Sequence, residues 1–267
     1  MNIEQIQLSE RGTLTALLHE KSNEMKNAAA ERLAVILCPG GAYSFCSDRE
    51  CDPPAIAFLN MGCQVFVLRY SVEPYAGNKR PLQEVAASVK IVRERADRWQ
   101  VDKHKIVVCG FSAGGHLAAS LGVHWNDPDI MRRCEVKDAQ MLRPDAMILG
   151  YPVITAGIFA HRESIQRVSQ DCHEDECYWS LETQVTEQTP PAFLWHTMND
   201  PAVPIENSFL FAEQLHQAGV DCECHFFENG PHGMSIATEE VGTPSKRVHQ
   251  WVSICQSWLA EKFALDN

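Results

Sequence analysis

The sequence predicts an α/β fold, a mostly parallel central sheet flanked by helices on both faces. Two observations predict it. Short runs that are apolar at every position, such as Leu33-Ala34-Val35-Ile36-Leu37-Cys38, alternate with longer stretches whose apolar residues recur every three or four positions. One short run, Ile106-Val107-Val108-Cys109, also leads directly into Gly110-Phe111-Ser112-Ala113-Gly114, a glycine-flanked turn that opens a small-residue segment. A strand apolar on both sides can face water on neither, so it belongs inside a helix-covered sheet.

The elements follow in order. Residues 1–32 are polar apart from Leu14 to Leu18 and are expected to form an edge hairpin. Buried strands are predicted at Leu33–Cys38, Cys63–Leu68, Ile106–Cys109, Ala146–Leu149 and Ala192–Trp195, with a more alternating one at Cys222–Phe227. Between them, Leu82, Val85, Val89, Val92, Ala96 and Trp99 form one helical stripe, opened by Pro81 in the first turn. A second helix is predicted from Ile205 to Ala218, stopped by Gly219, and a last one from Pro244 onward. Residues 152–190, rich in Glu, Gln, Ser and His, exceed an ordinary connection and are expected to form a short lid-like insertion.

Composition bounds the function. At 267 residues, 45% hydrophobic and 22% charged, the chain reads as a single domain, 1–267, large enough to need no disulfide or metal staple. A net charge of −12 argues against nucleic acid and anionic lipid surfaces as partners. No apolar run reaches the roughly 20 residues that span a bilayer, so no membrane association is expected. The first residues, Met1-Asn2-Ile3-Glu4-Gln5, do not read as a secretory signal, and eleven scattered cysteines suit a reducing compartment. The expected location is therefore the cytoplasm.

The turn at Ser112 is where chemistry is expected. A sharp strand-to-helix turn exposes a serine hydroxyl in a strained conformation, and glycines on both sides let neighbouring backbone pass. A serine hydroxyl is a poor nucleophile until a base takes its proton. In an α/β-hydrolase fold the partners follow in the order carboxylate then histidine, each after a later strand. Asp200 lies just beyond Ala192–Trp195, and His232, in Gly230-Pro231-His232-Gly233, just beyond Cys222–Phe227. Asp200 could instead merely open a turn before Pro201, and His232 could be an ordinary loop residue. His116, His196 and His225 are the rival histidines. The first sits one turn into the following helix, the second precedes Asp200, and the third lies inside a strand.

The amide of Ala113 and those of Gly41 and Ala42, in Pro39-Gly40-Gly41-Ala42-Tyr43, are the candidate oxyanion donors. Tyr43 and Arg69 are the candidate substrate-pocket residues, with Arg49-Glu50 also near the expected rim. Cys172-His173-Glu174-Asp175-Glu176-Cys177 holds metal-ligand residue types but lacks a second ligand pair at suitable spacing, so no metal site is expected.

These motifs together resemble the esterase-type α/β-hydrolases of the acetyl-xylan and bifunctional feruloyl/acetyl esterase group, and more distantly the hormone-sensitive-lipase-like carboxylesterases. The resemblance rests on Pro39–Tyr43, Val67-Leu68-Arg69-Tyr70-Ser71, Val108–Ala118, Pro190–His196, Asp200 with Val203-Pro204, and Gly230–Gly233, and covers about residues 33–262. It implies hydrolysis of carboxylic esters with small acyl groups, acetylated sugars or oligosaccharides among them, without a cofactor. Residues 157–178 match no part of the pattern, so it implies nothing about the pocket they cover. Amide hydrolysis, of an arylformamidase-like or peptidase-like kind, is the alternative within enzymes, and a non-catalytic hydrolase-fold binding protein the alternative outside them. The expected partner is a small-molecule ester, and the oligomer expected, if any, is a homodimer.

Overall fold

A computed structural model describes residues 1–25 and 29–265. Eight strands form one sheet: β1 (Asn2–Gln7), β2 (Thr13–Leu18), β3 (Arg32–Cys38), β4 (Gln64–Arg69), β5 (Val101–Phe111), β6 (Ala146–Gly150), β7 (Ala192–Thr197) and β8 (Cys222–Phe227). The spatial order is β1-β2-β4-β3-β5-β6-β7-β8. The hairpin β1–β2 joins the edge antiparallel, and every pairing from β4 to β8 is parallel. This is the α/β-hydrolase arrangement. Parallel strands end on the same rim, so the loops after β3, β5, β7 and β8 open on one side of the sheet.

Helices α1 (Asp52–Asn60), α2 (Arg80–Glu94), α3 (Ala96–Trp99), α4 (Ala113–His124), α5 (Pro128–Arg133), α6 (Arg162–Ser169), α7 (Glu206–Gln217) and α8 (Lys246–Phe263) complete the chain. Residues of α2, α3, α4 and α7 pack on one face of the sheet with Ile36, Val108 and Leu194. Residues of α1 and α8, including Phe58, Trp251 and Cys255, pack on the other with Val35, Val107 and Phe193. The central strands are thus covered on both sides, which is why their sequences are apolar throughout.

The edge hairpin expected in the first 32 residues is present, with Thr13–Leu18 as its inner strand. The single stripe predicted from Pro81 to Trp99 is two helices. The backbone turns aside at Arg95 (φ −102°, ψ 14°) before α3 resumes on the same buried face. The insertion 152–190 is built from α6 and two short 3-10 turns, Glu176–Trp179 and Leu181–Gln184. A buried cluster ties it down: Lys79 Nζ contacts Asp127 at 2.9 Å and Glu174 at 2.5 Å, and lies over the Tyr178 ring.

Candidate active site

Ser112 stands between β5 and α4 with φ 55° and ψ −120°, a conformation that costs about 1–3 kcal/mol and persists only where the surroundings enforce it. They do so from three directions. Ser112 N–H donates to the Gly150 carbonyl (3.0 Å), while its own carbonyl accepts from Val153 (3.1 Å) and His116 (3.1 Å). The flanking glycines are required by contact: a Cβ on Gly110 would collide with the Gly114 carbonyl, and one on Gly114 with the Cys38 carbonyl.

Asp200 follows β7 and His232 follows β8, and their loops are laced together. Thr197 Oγ1 donates to the Gly230 carbonyl (2.9 Å), Gly230 N–H to Asn199 Oδ1 (2.9 Å), and Met198 N–H to the Phe227 carbonyl (2.8 Å). The structure brings the three side chains into one line: His232 Nε2 lies 2.8 Å from Ser112 Oγ, and His232 Nδ1 lies 2.7 Å from Asp200 Oδ2. Asp200 Oδ1 accepts from the amides of Ala202 (2.8 Å) and Val203 (3.0 Å). The Tyr151 ring stands edge-on to the His232 ring at 5.0 Å. With the carboxylate on Nδ1, the proton of the neutral imidazole sits on that nitrogen, and Nε2 is free to accept the serine proton.

His196 was set aside in the sequence because it precedes Asp200, yet it belongs to this site. It is fully buried, and its Nε2 contacts both the Val203 carbonyl (3.1 Å) and Asp200 Oδ2 (3.3 Å), while Nδ1 faces Ser208 Oγ (2.8 Å). Burial alone would raise the Asp200 carboxyl. Hydrogen bonds from His196 and His232 outweigh that and hold it well below the usual carboxylate range. The signal in the sequence was spacing: His196 and Asp200 are four residues apart across a turn.

The loop after β3 places Gly41 (φ 123°), Ala42 (φ 54°) and Tyr43 (φ 58°) successively in the left-handed region. Among the described residues, the amides of Gly41, Ala42 and Ala113 donate to no protein acceptor. A Cβ on Gly40 would lie 2.9 Å from Ser112 Cβ, so the loop passes directly against the serine. Glu50, 2% exposed, fixes it: one oxygen accepts from Gly40 N–H (2.8 Å) and the other from Tyr151 OH (2.6 Å). Arg167 of the insertion donates to the Ala42 carbonyl (3.3 Å) and pairs with Glu73 (2.6 Å).

A cavity of about 180 Å³ opens over Ser112, walled by Gly41, Ala42, Phe45, Arg49, His161 and His232. Two expected pocket residues are not there. Tyr43 is fully buried, because its hydroxyl bonds His116 Nδ1 (2.9 Å) inside the core. Arg69 is drawn outward to Asp48 (2.6 Å) and lines no part of this cavity. Arg49 and Glu50, placed near the rim from the sequence, do line it, and the insertion adds His161, which the sequence did not single out. In the Cys172–Cys177 segment, Glu174 pairs with Lys79, and Asp175 caps the 3-10 turn that follows.

The chain is similar in sequence and fold to known proteins. The BD-FAE family profile matches residues 23–215. Among curated proteins, endo-1,4-beta-xylanase B of Butyrivibrio fibrisolvens is 36% identical over 81% of this chain and 34% of its own length. The acetylxylan esterase of Xylanibacter ruminicola is 29% identical over 77% of this chain and 42% of its own. The chain thus spans less than half the length of these two relatives. Among solved structures, an acetyl ester-xyloside bifunctional hydrolase from Caldicellulosiruptor lactoaceticus superposes with a TM-score of 0.83 at 31% identity, covering 99% of this chain and 97% of that one. The carboxylesterase Cest-2923 from Lactobacillus plantarum superposes at 0.86 and 27% identity over the full length of both.

Proposed function

Since this chain belongs to the BD-FAE family, we propose that it is a serine-dependent carboxylic-ester hydrolase that removes small acyl groups, with acetylated sugars or oligosaccharides as its substrates. The observation that carries the reading is the unbroken line from Ser112 Oγ through His232 to Asp200, 2.8 Å and 2.7 Å, beneath an open cavity. The small-acyl preference is supported by the likeness to an acetylxylan esterase and an acetyl ester-xyloside hydrolase.

In this reading Ser112 Oγ attacks the ester carbonyl carbon as its proton passes to His232 Nε2. Asp200 accepts the Nδ1 hydrogen bond, fixes the tautomer and stabilises the imidazolium. The oxyanion receives the amides of Gly41, Ala42 and Ala113, donors worth about 3 kcal/mol each where they meet developing charge. Collapse expels the alkoxide, which takes the proton from His232. Water then gives a proton to the same nitrogen, attacks the acyl-serine carbonyl, and releases the acid and free Ser112.

The same reading takes residues 1–267 as one catalytic unit in a reducing cytoplasm, supported by eleven free thiols. Among the described residues, no helix is long and apolar enough to cross a membrane. Hydrolysis of p-nitrophenyl acetate, butyrate and octanoate tests the reading: rates are expected to fall with chain length and to vanish in Ser112→Ala. A preference for octanoate, or full activity in Ser112→Ala, would overturn it.

A further inference from the structure

The insertion delivers one side chain to the catalytic cavity whose chemistry the proposed mechanism leaves unused. His161 caps helix α6, its Nδ1 accepting from Ser164 N–H at 3.4 Å and standing 2.9 Å from Ser164 Oγ. Ser164 N–H donates chiefly to the His161 carbonyl (3.0 Å) and only secondarily to Nδ1, but together with the Ser164 hydroxyl it gives Nδ1 two donors, an arrangement that favours the hydrogen of the neutral ring on Nε2. Among the described residues, Nε2 has no hydrogen-bond partner, although the ring is half-buried in the wall shared with Ser112 and His232. Burial and the neighbouring His232 push its pKa down, so the ring stays neutral and keeps one fixed N–H donor.

The rest of the opening has the same bias. Arg49 lines it beside Gly233, where a Cβ would lie 3.3 Å from the guanidinium carbon, and among the described residues it pairs with no carboxylate. Among the described residues Glu50 is the one carboxylate in this wall, and its oxygens are already engaged by Gly40 N–H and Tyr151 OH. Phe45 presents an aromatic ring that is 57% exposed. A ring N–H, a guanidinium and one exposed aromatic face, with no unengaged carboxylate among the described residues, suit a ligand with many oxygen acceptors and an apolar ring face.

We infer that His161 is a specificity-determining residue, binding the alcohol half of the ester through Nε2–H in a subsite completed by Phe45 and Arg49 that selects polyhydroxylated ring alcohols. The inference rests on Ser112 being the nucleophile and adds what chooses the leaving group. His161 is held ready because Arg162, next in sequence, donates to the carbonyls of Ala156 (2.9 Å) and Gly157 (2.8 Å). Arg167, one turn further on, ties the same helix to the loop that carries Gly41 and Ala42.

The test compares two alkyl acetates of similar ring size: acetylated methyl xyloside, rich in oxygen acceptors, and cyclohexyl acetate, which lacks them. Wild type is expected to favour the sugar ester in kcat/KM. His161→Phe should shrink that ratio about tenfold, chiefly through KM of the sugar ester, because a donor built for a substrate oxygen discriminates strongly against its absence. His161→Gln, which retains an N–H donor, should shrink it less. Melting temperatures of both variants within a few degrees of wild type exclude a folding defect. A ratio unchanged in His161→Phe, with both esters still cleaved, would overturn this inference and leave the ester-hydrolase reading standing. A wild type that cleaves neither ester would overturn both.

Discussion

His196 Nε2 lies 3.3 Å from Asp200 Oδ2, the same oxygen that His232 Nδ1 reaches at 2.7 Å. A single carboxylate oxygen therefore serves two imidazoles, one fully buried and one at the cavity. The buried one holds the carboxylate in place from behind, so that the other is oriented towards Ser112. Removing it is expected to act on the reaction rather than on binding. His196→Leu should lower kcat on p-nitrophenyl acetate about tenfold with little change in KM. His196→Gln, which can keep a donor towards Asp200, should lose less than His196→Leu. An unchanged kcat in His196→Leu would show that His232 needs no such support.

Asp200 itself should matter more. Asp200→Asn leaves the shape but lets the amide donate to Nδ1, trapping the imidazole with its proton on Nε2, where it cannot accept from Ser112. A fall in kcat of about 10³–10⁴ is expected, measured on the same acetate ester. A fall of tenfold or less would remove Asp200 from the role assigned to it.

The loop that carries Gly41 and Ala42 depends on a buried acid. Glu50→Gln replaces an acceptor by an NH₂ group facing either Gly40 N–H or Tyr151 OH, leaving at least one buried donor poorly paired. Urea unfolding should show a loss of about 1–3 kcal/mol. kcat should drop at the same time, because Gly40 passes against Ser112. Unchanged stability and activity would mean that the loop holds its shape without this anchor.

Acid should destabilise the fold through two histidines kept neutral. Burial pushes His116 and His124 each down to about 4, against 6.5 for the free side chain. Both are pinned to the insertion, His116 Nε2 on the Trp179 carbonyl (3.1 Å) and His124 Nε2 on the Tyr178 carbonyl (3.0 Å). Above pH 6.5 neither state binds a proton at these rings. As pH falls from 6.5 to about 4 the unfolded chain takes them up and the folded chain does not, so stability declines across that window, by roughly 3 kcal/mol for each ring. Unfolding free energies at pH 7.0, 5.5 and 4.5 measure the decline. A flat profile would contradict the buried neutral state of both.

Much of this arrangement was legible in the sequence, for a physical reason. Parallel strands must be apolar on both faces, so Leu33–Cys38 and Ile106–Cys109 announce themselves, and the residues just after them fall on one rim. That logic pointed to Ser112, Asp200 and His232, whose side chains the structure brings into one line. Other features depend on contacts between distant parts of the chain. β1 is a polar edge strand with no apolar signature, and α1 begins with Asp52-Pro53-Pro54, which reads as a loop although prolines suit a first helical turn. Tyr43 lies in the right loop, but its direction is set by His116, 73 residues away. His161 enters the cavity only because the insertion folds over Ser112, which no local pattern encodes.

The most direct measurement is labelling with a serine-reactive fluorophosphonate, followed by peptide mass spectrometry. The adduct is expected on Ser112 alone, absent from Ser112→Ala and strongly slowed in His232→Ala. An adduct on another residue, or equal labelling of wild type and Ser112→Ala, would contradict the assignment of this hydroxyl as the nucleophile.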